Sequence, residues 1–126
     1  MCLMAKYKIL VAEDDDVLRD LYLRKLSRNA EYDLLIARNG QEALDLLQVN
    51  VPSLVLLDIN MPVVDGFGVL EKLPKDKRSF PVIILTNFDD QANRDRGMAL
   101  GVDDYFVKKD MTIKNLVEMV EKLLKK

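Results

Sequence analysis

The sequence predicts an α/β fold in which a five-stranded parallel sheet carries helices on both faces. Short apolar runs alternate with segments of helical periodicity five times along 126 residues. The two most apolar runs, at residues 8–12 and 54–58, place apolar side chains on consecutive positions. Such runs are typical of strands that are buried on both faces. Alternating strands and helices with short connections favour a parallel sheet with right-handed crossovers.

Composition restricts the classes of function. With 49% hydrophobic and 32% charged residues, we expect residues 1–126 to form a single globular domain with a packed core. A net charge of -2 gives no general attraction to nucleic acid or to anionic membranes. No stretch approaches the ~18 apolar residues of a membrane span. The single cysteine, Cys2, cannot form an internal disulfide, which favours a cytoplasmic location. The absence of histidine excludes histidine metal sites, a Ser-His-Asp triad and a phosphohistidine carrier.

The positions of the strands follow from the apolar runs and the turn residues between them. Strands are predicted at residues 8–12, 32–37, 54–58, 80–86 and 104–107. The first and third strands are the most apolar and should lie in the centre of the sheet. The second and fifth are its natural edges.

Helices are predicted between and after these strands. The first helix is capped by Asp15 or Asp16 and reaches residue 26, and the second covers residues 41–48. The third is a short helix that is capped by Asp65 and ended by Pro74. The fourth covers residues 89–100, and the last is capped by Thr112. The segment 89–100 has few apolar side chains and contains Gly97. We therefore expect that helix to be held loosely.

Polar side chains stand at the ends of four predicted strands. Glu13 and Asp14 follow the first strand, Asp58 ends the third, Thr86 ends the fourth and Lys108 follows the fifth. In a parallel sheet these ends meet at one edge, where ligands bind. Carboxylates ~4 Å apart repel strongly, so either the pKa of one of them rises or the cluster binds a cation. A cluster that offers only oxygen ligands suits Mg²⁺. Asp58 could then act as a nucleophile toward a phosphoryl group held by Lys108 and Thr86.

Taken one at a time, these residues also have purely structural explanations. The acids can cap helices, and Asp58 can cap a turn. Thr86 can be an ordinary hydroxyl at a strand end, and Lys108 can be a solvated charge. Their joint placement at four strand ends favours a functional site.

Four segments of the chain resemble the receiver domain of two-component response regulators. They are Ile-Leu-Val-Ala-Glu-Asp-Asp at 9–15, Leu-Leu-Asp-Ile-Asn-Met-Pro-Val-Val-Asp-Gly at 56–66, Ile-Leu-Thr at 84–86, and Gly-Val-Asp-Asp-Tyr-Phe-Val-Lys at 101–108. Their order and spacing match that family over essentially the whole chain. The resemblance implies a flavodoxin-like fold with strand order 2-1-3-4-5.

The resemblance also implies a phosphoacceptor site with a metal ion. Asp58 would accept a phosphoryl group from the phosphohistidine of a histidine kinase or a histidine phosphotransfer protein. Asp14 and Asp58 would bind Mg²⁺ directly, and the backbone carbonyl of Asn60 would supply another ligand. Glu13 would act through water.

In the same family pattern, phosphorylation operates a switch. Thr86 and Lys108 would contact the phosphoryl group, and Tyr105 would change rotamer when Thr86 moves. The surface of the fourth helix, fifth strand and fifth helix would then control an output domain or a downstream protein, and a phosphorylation-linked homodimer is a further expected partner. The chain would be a phosphoacceptor with self-catalysed phosphotransfer and slow autodephosphorylation, not an enzyme, and would not itself bind nucleic acid.

Three positions depart from the receiver pattern. Lys109 stands where receivers usually have proline, often after a cis bond. Because a cis bond before a non-proline residue costs ~3 kcal/mol, the Lys108–Lys109 bond should be trans or strained. Asn87 stands where a small residue such as Ala is common, so access to the phosphoacceptor should differ. Glu13 replaces an Asp, and its extra methylene fits a role outside direct metal contact.

Two other classes of function compete with this prediction. A Mg²⁺-dependent aspartyl phosphohydrolase also uses an Asp nucleophile after a strand. It needs a second acid two residues later, where this chain has Asn60. A flavodoxin-type nucleotide or flavin binder needs a phosphate-binding loop after the first strand, where the four acids at 13–16 would repel a phosphate.

Overall fold

The computed structural model describes residues 7–87 and 90–125, and strands and α-helices alternate along them. The strands are β1 (Tyr7–Ala12), β2 (Tyr32–Ala37), β3 (Leu54–Asp58), β4 (Val82–Thr86) and β5 (Asp104–Val107). The helices are α1 (Asp16–Leu26), α2 (Gly40–Val49), α3 (Gly66–Lys72), α4 (Gln91–Ala99) and α5 (Ile113–Leu124), with short 3₁₀ turns at Lys75–Lys77 and Lys108–Asp110. Within these described ranges, no helix combines the length and the apolar character that a membrane crossing requires.

The strands form one parallel sheet in the order β2-β1-β3-β4-β5. The predicted fold class, strand order and edge strands are therefore confirmed. β3 lies in the centre, and every residue of β3 and of β4 is buried. Since β3 ends at Asp58, the fold delivers this carboxylate to the middle of the carboxyl edge of the sheet.

The sheet divides the core into two layers. Alternate side chains of a strand point to opposite faces, so Ile9 and Val11 of β1 pack in one layer and Leu10 and Ala12 in the other. The buried helix residues of the first layer are Tyr22, Leu26, Leu116 and Val120. Those of the second layer are Ala43, Leu44, Phe67, Val69 and Leu70. If a strand shifted by one residue against its neighbour, its side chains would exchange the two layers. Burial of each large apolar side chain stabilises the fold by about 1.5–3 kcal/mol, so burial fixes the register.

Each α-helix begins at a polar N-cap. Side-chain oxygens of Asp15, Asn39, Asp65, Asp90 and Thr112 accept hydrogen bonds from backbone N–H groups in the first turns of α1 to α5, respectively. The caps predicted at Asp65 and Thr112 are thus confirmed, and of the two candidates for α1 the cap is Asp15. Each cap is worth ~1 kcal/mol. The predicted strand at 80–86 begins later, at Val82, because Pro81 has no N–H to contribute to the sheet.

Helix α4 touches the sheet through a glycine. Gly97 is the buried residue of this helix. A Cβ at this position would lie 3.1 Å from the Ile84 Cδ1 atom and 3.3 Å from the Tyr105 ring. The helix therefore approaches the sheet closely while burying little side-chain surface, as the composition predicts. The predicted helix start at residue 89 lies outside the described residues.

The carboxyl end of α4 is tied to the rest of the domain by Arg78. Its guanidinium donates hydrogen bonds of 3.0 Å and 2.8 Å to the backbone carbonyls of Leu100 and Gly101. It also donates to the carbonyl of Leu73, just after α3, at 2.8 Å. One side chain thus joins the ends of two helices.

Candidate functional site

The strand register brings three acids to one point on the carboxyl edge of the sheet. Ala12 pairs with Leu57, so the next residues, Glu13 and Asp58, lie level with each other on adjacent strands. Carboxylate oxygens of Glu13, Asp14 and Asp58 all lie within 4.8 Å of one another. Glu13 and Asp58 are only 1% and 3% exposed, whereas Asp14 is exposed. The site thus has a buried acidic floor and one acid open to solvent.

Lys108 supplies the positive charge of the site. Its Nζ atom lies 2.7 Å from Glu13 Oε1 and 3.3 Å from Asp58 Oδ2, and its side chain is 9% exposed. No peptide bond in the described part of the chain is cis, so the Lys108–Lys109 bond is trans. A 3₁₀ turn begins at Lys108, and with this trans bond the side chain still reaches both acids.

Burial and charge repulsion make Asp58 hard to ionise. Desolvation, followed by the adjacent Glu13 carboxyl group, raises the pKa of Asp58 to about 8. Lys108 and the Asn60 N–H act in the opposite direction, and the Asn60 N–H donates to Asp58 Oδ1 at 3.2 Å. Burial lowers the pKa of Lys108, but its hydrogen bond to Glu13 and the charges of both acids outweigh this and raise it. The raised pKa values of Asp58 and Lys108 therefore favour the protonated form of both groups when no metal is bound.

These groups surround a small cleft. Its volume is about 230 Å³, and its lining residues are Glu13, Asp14, Asp15, Leu18, Asp58, Asn60, Asn87 and Lys108. The structure thus brings the predicted metal and lysine positions together in one place. Asn87 is exposed and lines the cleft. This position is compatible with the predicted effect of Asn87 on access to Asp58.

The two predicted switch residues, Thr86 and Tyr105, do not line this cleft. Thr86 is fully buried at the end of β4, where it pairs in register with Val107. Tyr105 is buried under α4, and the Arg94 guanidinium carbon lies 5.0 Å from its ring centroid. Tyr105 therefore lies against α4, and Thr86 lies at the carboxyl edge of the sheet, where the acids also lie.

A larger groove lies on another part of the surface. It has a volume of about 860 Å³ and lies between the end of α1, the start of β2 and α5. Its lining includes Lys25, Arg28, Lys114, Glu118 and Glu121. Arg28, Lys114 and Glu118 are exposed there, whereas the small cleft holds buried acids beside a largely buried lysine. Buried charged groups of this kind indicate a chemical site better than size does.

The donor atoms of the small cleft fit Mg²⁺. Glu13, Asp14 and Asp58 provide carboxylate oxygens at converging positions, and Asn60 follows at the mouth. Mg²⁺ prefers one or two carboxylates, a carbonyl and several waters over nitrogen or sulfur ligands. Burial, followed by the neighbouring Glu13 carboxyl group, raises the pKa of Asp58, and a divalent cation would favour the charged form of this carboxylate.

Sequence reasoning missed one residue of this region, Arg19. It extends from α1 and donates hydrogen bonds to the backbone carbonyls of Glu13 at 3.0 Å and Asp14 at 3.4 Å. The only sequence pattern that could have indicated it is its spacing, one helical turn after the N-cap Asp15.

The chain is similar to known signalling proteins. A family profile described as the response regulator receiver domain matches residues 9–121. A probable transcriptional regulator ycf27 of Cyanophora paradoxa is 40% identical over 96% of this chain and 49% of its own length. The alkaline phosphatase synthesis transcriptional regulatory protein PhoP of Bacillus subtilis is 37% identical over 80% of this chain and 42% of its own length. The chain thus spans about half the length of these curated relatives.

Solved structures give the same result. The receiver domain of Francisella response regulator 1452 has a TM-score of 0.85 and 35% identity, covering 94% of this chain and 97% of that one. Chemotaxis protein CheY4 of Vibrio cholerae has a TM-score of 0.82 and 26% identity, covering 97% of this chain and 100% of that one. These neighbours confirm the predicted flavodoxin-like fold. The chain belongs to the family of response regulator receiver domains of two-component signalling systems.

Proposed function

We propose that this receiver is a phosphorylation switch that accepts a phosphoryl group on Asp58 from the phosphohistidine of a histidine kinase or a phosphotransfer protein. The observation that carries the proposal is the position of Asp58. It ends the central strand, is 3% exposed, and lies beside both Glu13 and the Lys108 ammonium group. A carboxylate at the floor of an open cleft can reach a donor while it stays shielded from bulk water.

The reaction exchanges one bond to phosphorus for another. A carboxylate oxygen of Asp58 forms a P–O bond as the N–P bond of the donor breaks, and the imidazole nitrogen leaves with the bonding electrons. The product is an acyl phosphate. The ammonium group of Lys108, 3.3 Å from Asp58 in the free protein, would contact a phosphoryl oxygen, as would the Thr86 hydroxyl.

Mg²⁺ is the cofactor that this donor set supports. Asp14, Asp58 and the backbone carbonyl of Asn60 would hold it, and Glu13 would act through water. When bound, the ion would neutralise charge on the acids and on the phosphoryl oxygens.

The surface that responds would be α4, β5 and α5. Movement of Thr86 toward the phosphoryl group would open space for Tyr105, whose ring now packs against Gly97 of α4. The contacts of α4 support this proposal. Hydrogen bonds from Arg78 hold the carboxyl end of the helix, and the helix buries no large side chain. The described residues of α4 therefore bury little apolar surface, and moving elements are drawn from such weakly packed segments.

The partners follow from this assignment. Residues 1–126 would act as one receiver domain in the cytoplasm, with a histidine kinase or phosphotransfer protein as donor. The changed surface would control an output domain or a downstream protein, or pair with a second copy. The transcriptional regulators to which the chain is similar are about twice as long as the matched region, which supports an output domain as the controlled element.

The test is chemical phosphorylation. Incubation with acetyl phosphate and Mg²⁺ should add the mass of one phosphoryl group to the wild-type protein and to Asp76→Asn, a control at an exposed acid of the 3₁₀ turn after α3. Asp58→Asn should gain nothing. A phosphorylated Asp58→Asn variant, or an unmodified wild type, would contradict the proposal. Continuous release of phosphate from a phosphate ester would indicate the phosphohydrolase instead.

A further inference from the structure

Arg19 holds the backbone of the acidic loop after β1. Its Nη1 group donates to the carbonyl oxygens of Glu13 at 3.0 Å and Asp14 at 3.4 Å. Its Nη2 group pairs with the carboxylate of Asp16. The side chain is 11% exposed, so it lies along the protein and does not extend into solvent.

These two carbonyls belong to the peptide groups on either side of the Asp14 Cα atom. Peptide groups are planar, so fixing both of them fixes the φ and ψ angles of Asp14 and the direction of its Cβ atom. The second peptide group is also held from its other side, because its N–H, that of Asp15, donates to Glu13 Oε2 at 3.2 Å. Asp14 itself is exposed, so burial does not set the direction of its carboxylate.

We propose that Arg19 is a positioning residue for the divalent-cation site: it locks the backbone around Asp14 so that the carboxylates of Glu13, Asp14 and Asp58 converge. This inference rests on the proposed Mg²⁺ site and adds a residue that does not touch the ion. Groups that orient metal ligands typically change metal affinity 10–100-fold when they are removed.

The sign of the effect separates positioning from simple electrostatics. Arg19 places a positive charge close to a cation site. If charge were its only influence, Arg19→Ala would bind Mg²⁺ more tightly and Arg19→Lys would bind it as the wild type does. If Arg19 positions Asp14, both variants bind more weakly. Lysine keeps the charge but has one nitrogen, which cannot reproduce the fixed directions in which Nη1 contacts the two carbonyls and Nη2 contacts Asp16.

Calorimetric titration with Mg²⁺ alone, at one pH and ionic strength, tests this. We expect affinity to fall about tenfold in Arg19→Lys and in Arg19→Ala. The matched controls are Arg24→Lys and Arg24→Ala, on the same helix, where Arg24 pairs with Asp20 on an exposed surface. These controls should stay within about twofold of the wild type. Far-ultraviolet circular dichroism and urea unfolding verify that each variant is folded.

A second measurement does not depend on metal. In the metal-free protein, hydrogen exchange of the Asp14 and Asp15 amides should be faster in Arg19→Lys than in Arg24→Lys, because the loop is released. Unchanged or tighter Mg²⁺ binding by the Arg19 variants would overturn the inference while leaving the proposed function intact. A wild-type protein that binds no Mg²⁺ and gains no phosphoryl group would overturn the proposed function itself.

Discussion

Asp58→Asn should stabilise the metal-free protein, and more so as the pH rises. Burial and the neighbouring Glu13 raise the pKa of Asp58 from 3.8 to about 8. At a pH between these two pKa values, Asp58 is ionised in the unfolded chain and protonated in the folded protein. The folded state therefore binds more protons, so stability falls as the pH rises through this window. Asparagine does not titrate and removes that loss.

The size of the effect follows from the width of the window. Each pH unit between the two pKa values changes stability by up to about 1.4 kcal/mol, which bounds the effect from pH 5 to pH 8 at about 4 kcal/mol. Glu13 and Lys108 share the change of charge with Asp58, so we expect about half of this bound, ~2 kcal/mol.

Urea unfolding in the presence of a chelator, at pH 5, 6, 7 and 8, measures this difference. For a domain of this size ~2 kcal/mol corresponds to a shift of about 1 M in the urea midpoint. The difference between Asp58→Asn and wild type should grow across the series, while Asp76→Asn, which removes the same charge from an exposed position, should show no such growth. Parallel pH profiles for Asp58→Asn and wild type would refute the argument that Asp58 is forced to keep its proton.

Three further predictions concern the acidic site and the contact between α2 and the loop after β3. Mg²⁺ affinity of the wild type should rise about tenfold per pH unit and level off near pH 8, because the ion must displace the proton on Asp58; calorimetry in buffers of different ionisation enthalpy detects the released proton. Lys108→Met should destabilise the metal-free protein by about 3 kcal/mol at pH 8, because Glu13 and Asp58 lose their cation. The loss should be smaller at pH 5, where Asp58 is neutral, and urea unfolding at both pH values measures it. Gly40→Ala should lower the free energy of unfolding by about 2 kcal/mol or more, because its Cβ would overlap the Val64 carbonyl oxygen in the loop after β3, and thermal unfolding would reveal it.

Much of the fold could be predicted because its determinants are local. The apolar run of β3 and the caps Asp65 and Thr112 are visible as short patterns, and each lies where it was predicted. The cap of α1 was predicted as either Asp15 or Asp16, and it is Asp15. The clustering of the acids could also be predicted, because a parallel sheet brings strand ends together whatever the details of packing. The charge state of Asp58 could not, since it depends on burial and on the distances to Glu13 and Lys108.

The two arginines that sequence reasoning missed, Arg19 and Arg78, share a physical feature: both donate to backbone carbonyls. Arg19 binds the carbonyls of Glu13 and Asp14, and Arg78 binds carbonyls that include that of Leu100 after α4. Every residue has a carbonyl, so the identity of the partner leaves no pattern in the sequence, and only the folded chain shows which carbonyls converge. Both arginines act where the chain has little other means of fixing its path, in an exposed acidic loop and at the end of a helix with one buried glycine. Arginine suits this task, because its planar group offers several donors in fixed directions and remains charged when it is largely buried.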